Sequence, residues 1–408
     1  MNTGLIRRHT AFRRLWIGQT ISEIGTQIGG LAVPLIAVLT LHASAFGASA
    51  LFAAEFAPYV IVGLPAGAWI DRLRRRPILI CADVTRGIAL LVLPLAVLLH
   101  AVSLPLLYGV VFVVGVATVF FEVAYQAYLP AVVEPGELVD ANGLLTASRS
   151  IASVGGPSVG GWIVAVLTAP YAVVADAISF LISAGFVATV RKTEPPTAPA
   201  TERRGLHREI GEGIRVVWTD RLIRTLALYS AATSFCVMMA GSIEVYFLVR
   251  TVHLATVGIG VLFGITSLGS LLGAVVAAPV RRRLGEIRTL VTMASVAGTS
   301  MLLVPLTALG LRLGFFVLGI GLASAAIVAY NVVSISMIQR RCPARLLGRV
   351  FATIRFIAWS TPPIGALVGG ALAGAIGPRA TLLIAALMFV ASALALAWWL
   401  RDGAPSEP

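Results

Sequence analysis

Long apolar stretches dominate this sequence and leave little choice of fold. Twelve of them, six on each side of a polar segment at residues 191–221, reach the roughly 20 residues with which an α-helix crosses a membrane. They cover residues 15–41, 48–70, 78–100, 104–128, 141–168, 170–190, 222–249, 257–280, 288–308, 313–338, 348–376 and 379–400. Strands of membrane barrels are only about 10 residues long. The sequence therefore predicts an all-α integral membrane protein with twelve transmembrane helices in two six-helix bundles.

The composition excludes most other classes of protein. The chain is 58% hydrophobic and 12% charged, whereas soluble proteins are about 45–50% apolar and about 25% charged. Almost nothing is left for a soluble catalytic domain. The three cysteines, Cys81, Cys236 and Cys342, are too far apart for a disulfide framework or a zinc site. We expect neither an enzyme nor a bound cofactor or metal.

The net charge of +13 is explained by topology. If the N-terminus is cytoplasmic, 25 of the 31 Lys and Arg residues fall on the cytoplasmic side, which is the bias that orients membrane proteins. Both termini are then cytoplasmic, and nucleic acid is not an expected partner. We expect a multi-pass protein of the bacterial inner membrane, with the lipid bilayer as its surroundings.

The polar segment divides the chain into residues 1–190, 191–221 and 222–408. Its first part contains Pro195, Pro196 and Pro199, which is typical of an extended connector. Residues 206–222 then place apolar side chains on one helical face. This pattern predicts an amphipathic helix on the inner leaflet or under the bundle, and we interpret it as a tether between the two halves.

The two halves repeat each other faintly. Arg149-Ser-Ile-Ala precedes Pro157 in the fifth span, and Arg355-Phe-Ile-Ala precedes Pro363 in the eleventh, with a shift of 206 residues. Parallel repeats of six spans are a signature of secondary transporters, in which the substrate binds between the halves near the membrane midplane. We therefore expect the two bundles to be pseudo-repeats.

Several motifs resemble those of a known family. Gly67-Ala-Trp-Ile-Asp71-Arg72-Leu-Arg74-Arg75-Arg76 resembles the major facilitator signature between spans 2 and 3, and residues 143–161 resemble the antiporter motif of its exporters. The segments around Ala127 and Asp176-Ala-Ile-Ser-Phe180 are similar to the twelve-span branch that includes macrolide efflux and enterobactin export proteins. This resemblance implies a secondary transporter that works by alternating access.

The resemblance also implies candidate gating residues. A latch is expected at the inner ends of the helices, where Asp71 would pair with an arginine or with a helix N-terminus. A face of small residues and a proline in the fifth span would allow close, sliding contact. The gating candidates are Gly67, Asp71, Arg72, Arg75, Arg76, Asp83, Arg86, Arg149, Gly156, Pro157, Gly160, Gly161 and Arg355.

Polar side chains form stripes at helical spacing within spans 1, 4, 7 and 10. In the fold that this chain resembles, these four spans line the central cavity. The resulting candidates for the substrate cavity are Gln19, Gln27, Thr118, Tyr125, Gln126, Ser234, Met238, Tyr330, Asn331 and Ser334. The mixture of aromatic, amide and hydroxyl groups suits an amphipathic molecule.

Charges within a span are costly and usually face a cavity or a partner. We consider Glu23, Glu122, Glu55 and Glu244 as carboxylates that exchange a proton, and we favour Glu23 and Glu122 because each lies in a polar stripe. Packing alone is the alternative explanation for each of them.

The other charges within the spans are interpreted as structural. Asp83 and Arg86 stand three residues apart, as in a helical ion pair. Arg149 and Arg355 are expected to brace the inner gate against carboxylates or carbonyls. Asp176 lies near the outer end of its span, and we expect it to be solvated.

The preferred function is export of an amphipathic small molecule, such as a drug, a siderophore or another secondary metabolite, by proton antiport. Two alternatives stay open. One is uptake or uncoupled facilitation of a small solute by the same fold. The other is a membrane receptor or assembly factor that transports nothing. A monomer is expected in each case.

Overall fold

A computed structural model describes residues 4–70, 73–134, 137–190 and 206–401, and every regular element in these ranges is a helix. The first eight are α1 (Gly4–Arg8), α2 (Thr10–Leu35), α3 (Ala45–Ile61), α4 (Gly63–Ile70), α5 (Arg75–Leu98), α6 (Leu104–Val132), α7 (Leu138–Leu167) and α8 (Ala169–Ala188). The others are α9 (Leu206–Thr219), α10 (Arg221–Arg250), α11 (Thr256–Leu284), α12 (Glu286–Met301), α13 (Leu313–Arg341), α14 (Ala344–Ser360), α15 (Pro362–Ile376) and α16 (Pro378–Arg401).

Eleven helical segments in the described ranges are long and apolar enough to cross a membrane, so the chain is a multi-pass membrane protein. The predicted second span is the exception, because it consists of the two shorter helices α3 and α4. The backbone hydrogen bonds from Val62 to Pro58 and from Ala66 to Val62 continue the helical pattern across this junction. Pro65 lacks the N–H that would bond to the carbonyl of Ile61, which explains the interruption.

Prolines have different effects on the two repeated spans. Pro157 lies inside the continuous helix α7. The corresponding span of the second half is divided, since α14 ends at Ser360 and α15 begins with Pro362 and Pro363. Two consecutive residues without an N–H remove more backbone hydrogen bonds than one, and the repeat is therefore imperfect at this point.

The described helices form two compact units. The first contains Met1–Ala43, Ala54–Arg203 and Ala255–Gly264, and in it α2 packs against α7 and α8 while α5 packs against α6 and α8. The second contains Ser44–Ala53, Arg204–Leu254 and Ile265–Pro408. In this second unit α10 packs against α14, α15 and α16, and α12 packs against α13 and α16.

The amphipathic linker helix is present as α9 and packs against α14 and α10. It ends at Thr219 and is shorter than the predicted helix, because the next residue, Asp220, is the N-cap of α10. The Asp220 carboxylate accepts hydrogen bonds from the N–H groups of Leu222 at 2.9 Å and Ile223 at 3.1 Å. Such a side chain satisfies the free donors at a helix N-terminus, which explains the position of the boundary.

Candidate transport site and its charged clusters

The first charged cluster joins three helices of the first unit. Arg149 of α7 donates a hydrogen bond through Nε to Oε1 of Glu23 on α2, at 3.0 Å. Glu122 and Tyr125 of α6 interact electrostatically with the same guanidinium. The Arg149 side chain is 64% exposed and that of Glu23 is 12% exposed. We call Glu23, Glu122, Tyr125 and Arg149 the open cluster, because its arginine side chain is largely exposed.

The open cluster unites residues that the sequence analysis had assigned to different roles. Glu23 and Glu122 were proton-coupling candidates, Tyr125 was a cavity candidate and Arg149 was a gating candidate. The hydroxyl of Tyr125 is buried and has no hydrogen-bond partner among the described residues. The cluster therefore provides a guanidinium, two carboxylates and a free hydroxyl within one electrostatic environment.

The second charged cluster lies within the same unit but is closed to water. Arg86 of α5 forms an ion pair with Asp83, and the exposed fractions of the two side chains are only 6% and 0%. The guanidinium carbon lies 4.2 Å from the ring centre of Phe121 and 4.1 Å from that of Phe180. Cation–π contact on both faces partly replaces the lost hydration. We call Asp83, Arg86 and Asp176 the closed cluster.

Asp176 corrects an expectation from the sequence. It is 5% exposed rather than solvated. The reason is that α2 presents Gly25 and Gly29 to it: a Cβ atom on Gly29 would lie 2.0 Å from Oδ2 of Asp176, and one on Gly25 would lie 2.9 Å from Oδ1. Only glycines allow this carboxyl group to lie between α2 and α8.

The small-residue face of α7 divides its contacts between two helices. Cβ atoms on Gly156 and Gly160 would lie 2.4 Å from Cβ of Gln27 and 3.2 Å from Cα of Ile28, both on α2. A Cβ on Gly161 would instead lie 2.8 Å from the carbonyl oxygen of Thr256, at the start of α11. The candidates Gly156, Gly160 and Gly161 thus permit close approach of backbones.

The gating arginines are only partly described. Arg76 donates through Nε to the carbonyl of Val187 at 3.2 Å and through Nη2 to that of Ala188, while Arg14 donates to the carbonyl of Thr189. Cations at this position stabilise the C-terminal end of α8, where carbonyls lack helical partners. The predicted latch residues Asp71 and Arg72 lie outside the described residues, and Arg75 and Gly67 belong to α5 and α4.

A cavity of about 170 Å³ lies within the second unit. Its wall combines aromatic, hydroxyl, amide and apolar groups and contains no charged side chain. The rings of Tyr229 and Tyr330 lie 4.7 Å apart, centre to centre, at an angle of 48°. The lining residues are Tyr229, Ser230, Thr233, Ser234, Val237, Met293, Ala297, Ala326, Ile327, Tyr330 and Asn331.

Three of the residues predicted for the substrate cavity line this cavity, together with others that the sequence analysis did not propose. Ser234, Tyr330 and Asn331 line it, whereas Met238 and Ser334 do not. Two of these other lining residues, Met293 and Ala297, belong to α12, which is not one of the four spans expected to line the cavity. No sequence signal distinguishes these two residues from other apolar positions.

The remaining candidates are distributed around these sites. Glu55 is exposed on α3 and Glu244 is half-buried on α10. Arg355 is exposed, and its guanidinium lies 5.2 Å from the ring centre of Trp359, one helical turn away. Thr118 donates to the carbonyl of Val114 at 2.8 Å, a bond within its own helix. Of the other stripe residues, Gln126 is exposed on α6 and Gln19 is half-buried on α2.

Several ion pairs among the described residues of the second unit were not predicted at all. Arg340 forms an ion pair with Glu286, Arg349 with Glu212, and Arg341 with Asp220. In the last pair, 2.7 Å separates Nε of Arg341 from Oδ2 of Asp220. Partial burial acts to raise the pKa of Asp220. The hydrogen bonds from Arg341 and from the N–H groups at the start of α10 outweigh burial and hold this pKa below its ordinary value.

Sequence relatives of this chain are bacterial efflux proteins. It is 28% identical to the multidrug efflux pump Tap of Mycobacterium tuberculosis over 390 residues, which cover 92% of this chain and 90% of that protein. It is 24% identical to macrolide efflux protein A of Streptococcus pyogenes over 391 residues, which cover 94% of each chain.

Among the described residues no group of His, Cys, Asp and Glu side chains is arranged to hold a metal ion.

The fold is shared with solved transporters. A variant of the nucleoside transporter NupG superposes with a TM-score of 0.81 at 11% identity, over 95% of this chain and 99% of that one. The family model of the Major Facilitator Superfamily matches residues 15–361. The chain is therefore a transporter that belongs to the Major Facilitator Superfamily.

Proposed function

We propose that this protein exports an amphipathic small molecule, such as a drug, a siderophore or another secondary metabolite, by proton antiport. The observation that carries this proposal is the open cluster, in which an ion pair with a largely exposed arginine connects two helices. The similarity to multidrug and macrolide efflux proteins supports the direction of transport.

The coupling step follows from the charge of Glu23. As a carboxylate, Glu23 binds Arg149 and holds α2 against α7. When it takes up a proton it becomes neutral, and the attraction to the guanidinium is largely lost. Glu122 interacts with the same arginine and then offers Arg149 a second carboxylate partner. Protonation thus changes a contact between two helices, which is what alternating access requires.

The cavity of the second unit supports the class of substrate. Two tyrosine rings and apolar side chains suit a flat or bulky apolar group, and Ser234 and Asn331 provide hydrogen bonds that orient it. Its volume of about 170 Å³ fits one part of a larger molecule. We therefore propose that it receives an aromatic portion of the substrate.

The topology belongs to the same proposal. We propose that α3 and α4, at residues 45–70, cross the membrane as the second span of the chain, which brings the total to twelve. We also propose that both termini are cytoplasmic. The bias of the basic residues supports this orientation. The protein then resides in the bacterial inner membrane, works as a monomer and uses protons as its coupling ion.

Reconstituted liposomes test the proposal, with ethidium and erythromycin as the transported probes. An acidic lumen is expected to drive probe uptake, and an ionophore that dissipates the pH gradient should abolish it. The double variant Glu23→Gln, Glu122→Gln is expected to lose the gradient-driven uptake, whereas Glu134→Gln, an exposed position beyond α6, should retain it.

The possible outcomes separate the functions. Uptake of a probe that ignores the pH gradient would indicate facilitation instead of antiport. No transport of either probe by a correctly inserted protein, under any gradient, would contradict the proposed function and favour a receptor or assembly factor.

A further inference from the structure

The closed cluster contains one negative charge more than it can balance. Asp83 and Arg86 neutralise each other as an ion pair, and Asp176 is a second carboxyl group beside them with an exposed fraction of 5%. A buried carboxylate without a partner is among the least favourable groups in a protein interior.

The contacts of Asp176 do not supply the missing positive charge. Its Oδ1 atom is buried without a hydrogen-bond partner in the described part of the chain, and so is Nε of Arg86. Arg86 binds Asp83 and the two aromatic rings, and it acts on Asp176 electrostatically. The hydroxyl of Ser179 donates to the backbone carbonyl of Asp176, at 2.7 Å.

Two charged groups from neighbouring helices act on Asp176 in opposite directions. Arg86 of α5 is the positive group, and Glu55 of α3 is the negative group. On the side of α2 the carboxyl group lies against Gly25 and Gly29.

From this arrangement we infer that Asp176 carries a second exchangeable proton, distinct from that of the open cluster. In the described conformation the carboxyl group is neutral, so the closed cluster holds one ion pair and no net charge. A hydronium ion transfers its proton to the carboxylate of Asp176 when the site is reached, and the proton returns to a water molecule as hydronium when the carboxylate forms again. The inference rests on the proposed antiport and extends it to two protons.

The helix α2 connects the two proton sites. It carries Glu23, which binds Arg149 on one side, and two residues later it begins the glycine pair that covers Asp176. A shift of α2 that follows the loss of the Glu23–Arg149 contact would uncover Asp176. Glu55 of α3, the other carboxylate that acts on Asp176, would then relay the proton.

Infrared difference spectroscopy tests this inference without a transported molecule. The wild-type protein at neutral pH should show the carbonyl stretch of a protonated carboxyl group. That band should lose intensity in Asp176→Asn and keep it in Asp140→Asn, an exposed site in the first turn of α7. A band that is absent from the wild type, or one whose intensity is unchanged in Asp176→Asn, would overturn the inference.

Folding and transport assays complete the test. Since asparagine imitates a neutral carboxyl group, Asp176→Asn should keep the wild-type melting temperature, whereas Asp83→Asn should lower it. In liposomes Asp176→Asn should retain ethidium counterflow, and its gradient-driven uptake should fall below that of Asp140→Asn. Full gradient-driven uptake by Asp176→Asn would refute the second proton, whereas a wild type that ignores the gradient would refute the proposed antiport itself.

Discussion

Two clusters in the same unit use similar residues and differ in their access to water. In the open cluster the arginine side chain is 64% exposed, and in the closed cluster it is 6% exposed. The open pair joins α2 to α7, whereas Asp83 and Arg86 stand one turn apart on α5. The ion pair near water can break and form at small cost, while the enclosed one is stable only as long as its charges balance.

This difference teaches that the location of a charge decides what it does. A carboxylate near water can exchange a proton whenever its partner moves. A carboxyl group covered by glycines can exchange only when a whole helix moves. The two clusters would therefore act in sequence, with the open one first.

The largest expected effect comes from removing each arginine in turn. Arg86→Met leaves Asp83 as a buried charge without a partner, which should lower the free energy of unfolding by about 3–5 kcal/mol. Arg149→Met should cost at most about 1 kcal/mol, because its side chain is largely hydrated. Thermal unfolding in detergent measures both. Equal losses of stability would break the comparison, and the double variant Asp83→Leu, Arg86→Met should recover stability.

A smaller effect is expected where α2 covers the closed cluster. Gly29→Ala would place a methyl group about 2.0 Å from Oδ2 of Asp176, and such overpacking should cost about 1–3 kcal/mol. The neighbouring Gly30→Ala is the matched control, since a Cβ there meets nothing within 4 Å. Adding Asp176→Ala to Gly29→Ala should restore the melting temperature. If both single variants behave alike, α2 does not seal this cluster.

The smallest effect is expected at the Asp220–Arg341 ion pair, whose side chains are exposed to an intermediate extent. Because the folded-state pKa of Asp220 lies below the ordinary 3.8, its contribution is complete above that value and is lost as the pH falls through the lower pKa. Asp220→Asn should therefore melt slightly below the wild type at neutral pH, by the equivalent of less than about 1 kcal/mol. The two melting temperatures should converge in acid. A difference that is independent of pH would exclude the titration of Asp220 as its cause.

The helices of the fold were predictable because the sequence of each membrane helix is enough to identify it. Apolar length and flanking charge mark each one without knowledge of its neighbours. The sequence also supplied the members of the open cluster, since Glu23 and Glu122 stand in stripes at helical spacing. It did not predict the interruption of the second span between α3 and α4, nor that Met293 lines the cavity.

The sequence by itself determined which residues are charged, where the helices lie and which family the chain resembles. Only the tertiary structure decided that Glu23 meets Arg149, that Asp220 meets Arg341, and that Asp176 is buried rather than solvated. Helical spacing reports which side chains share a face of one helix. It contains no information about the helix that packs against that face, and the burial of Asp176 depends on glycines of α2 that lie about 150 residues earlier in the chain.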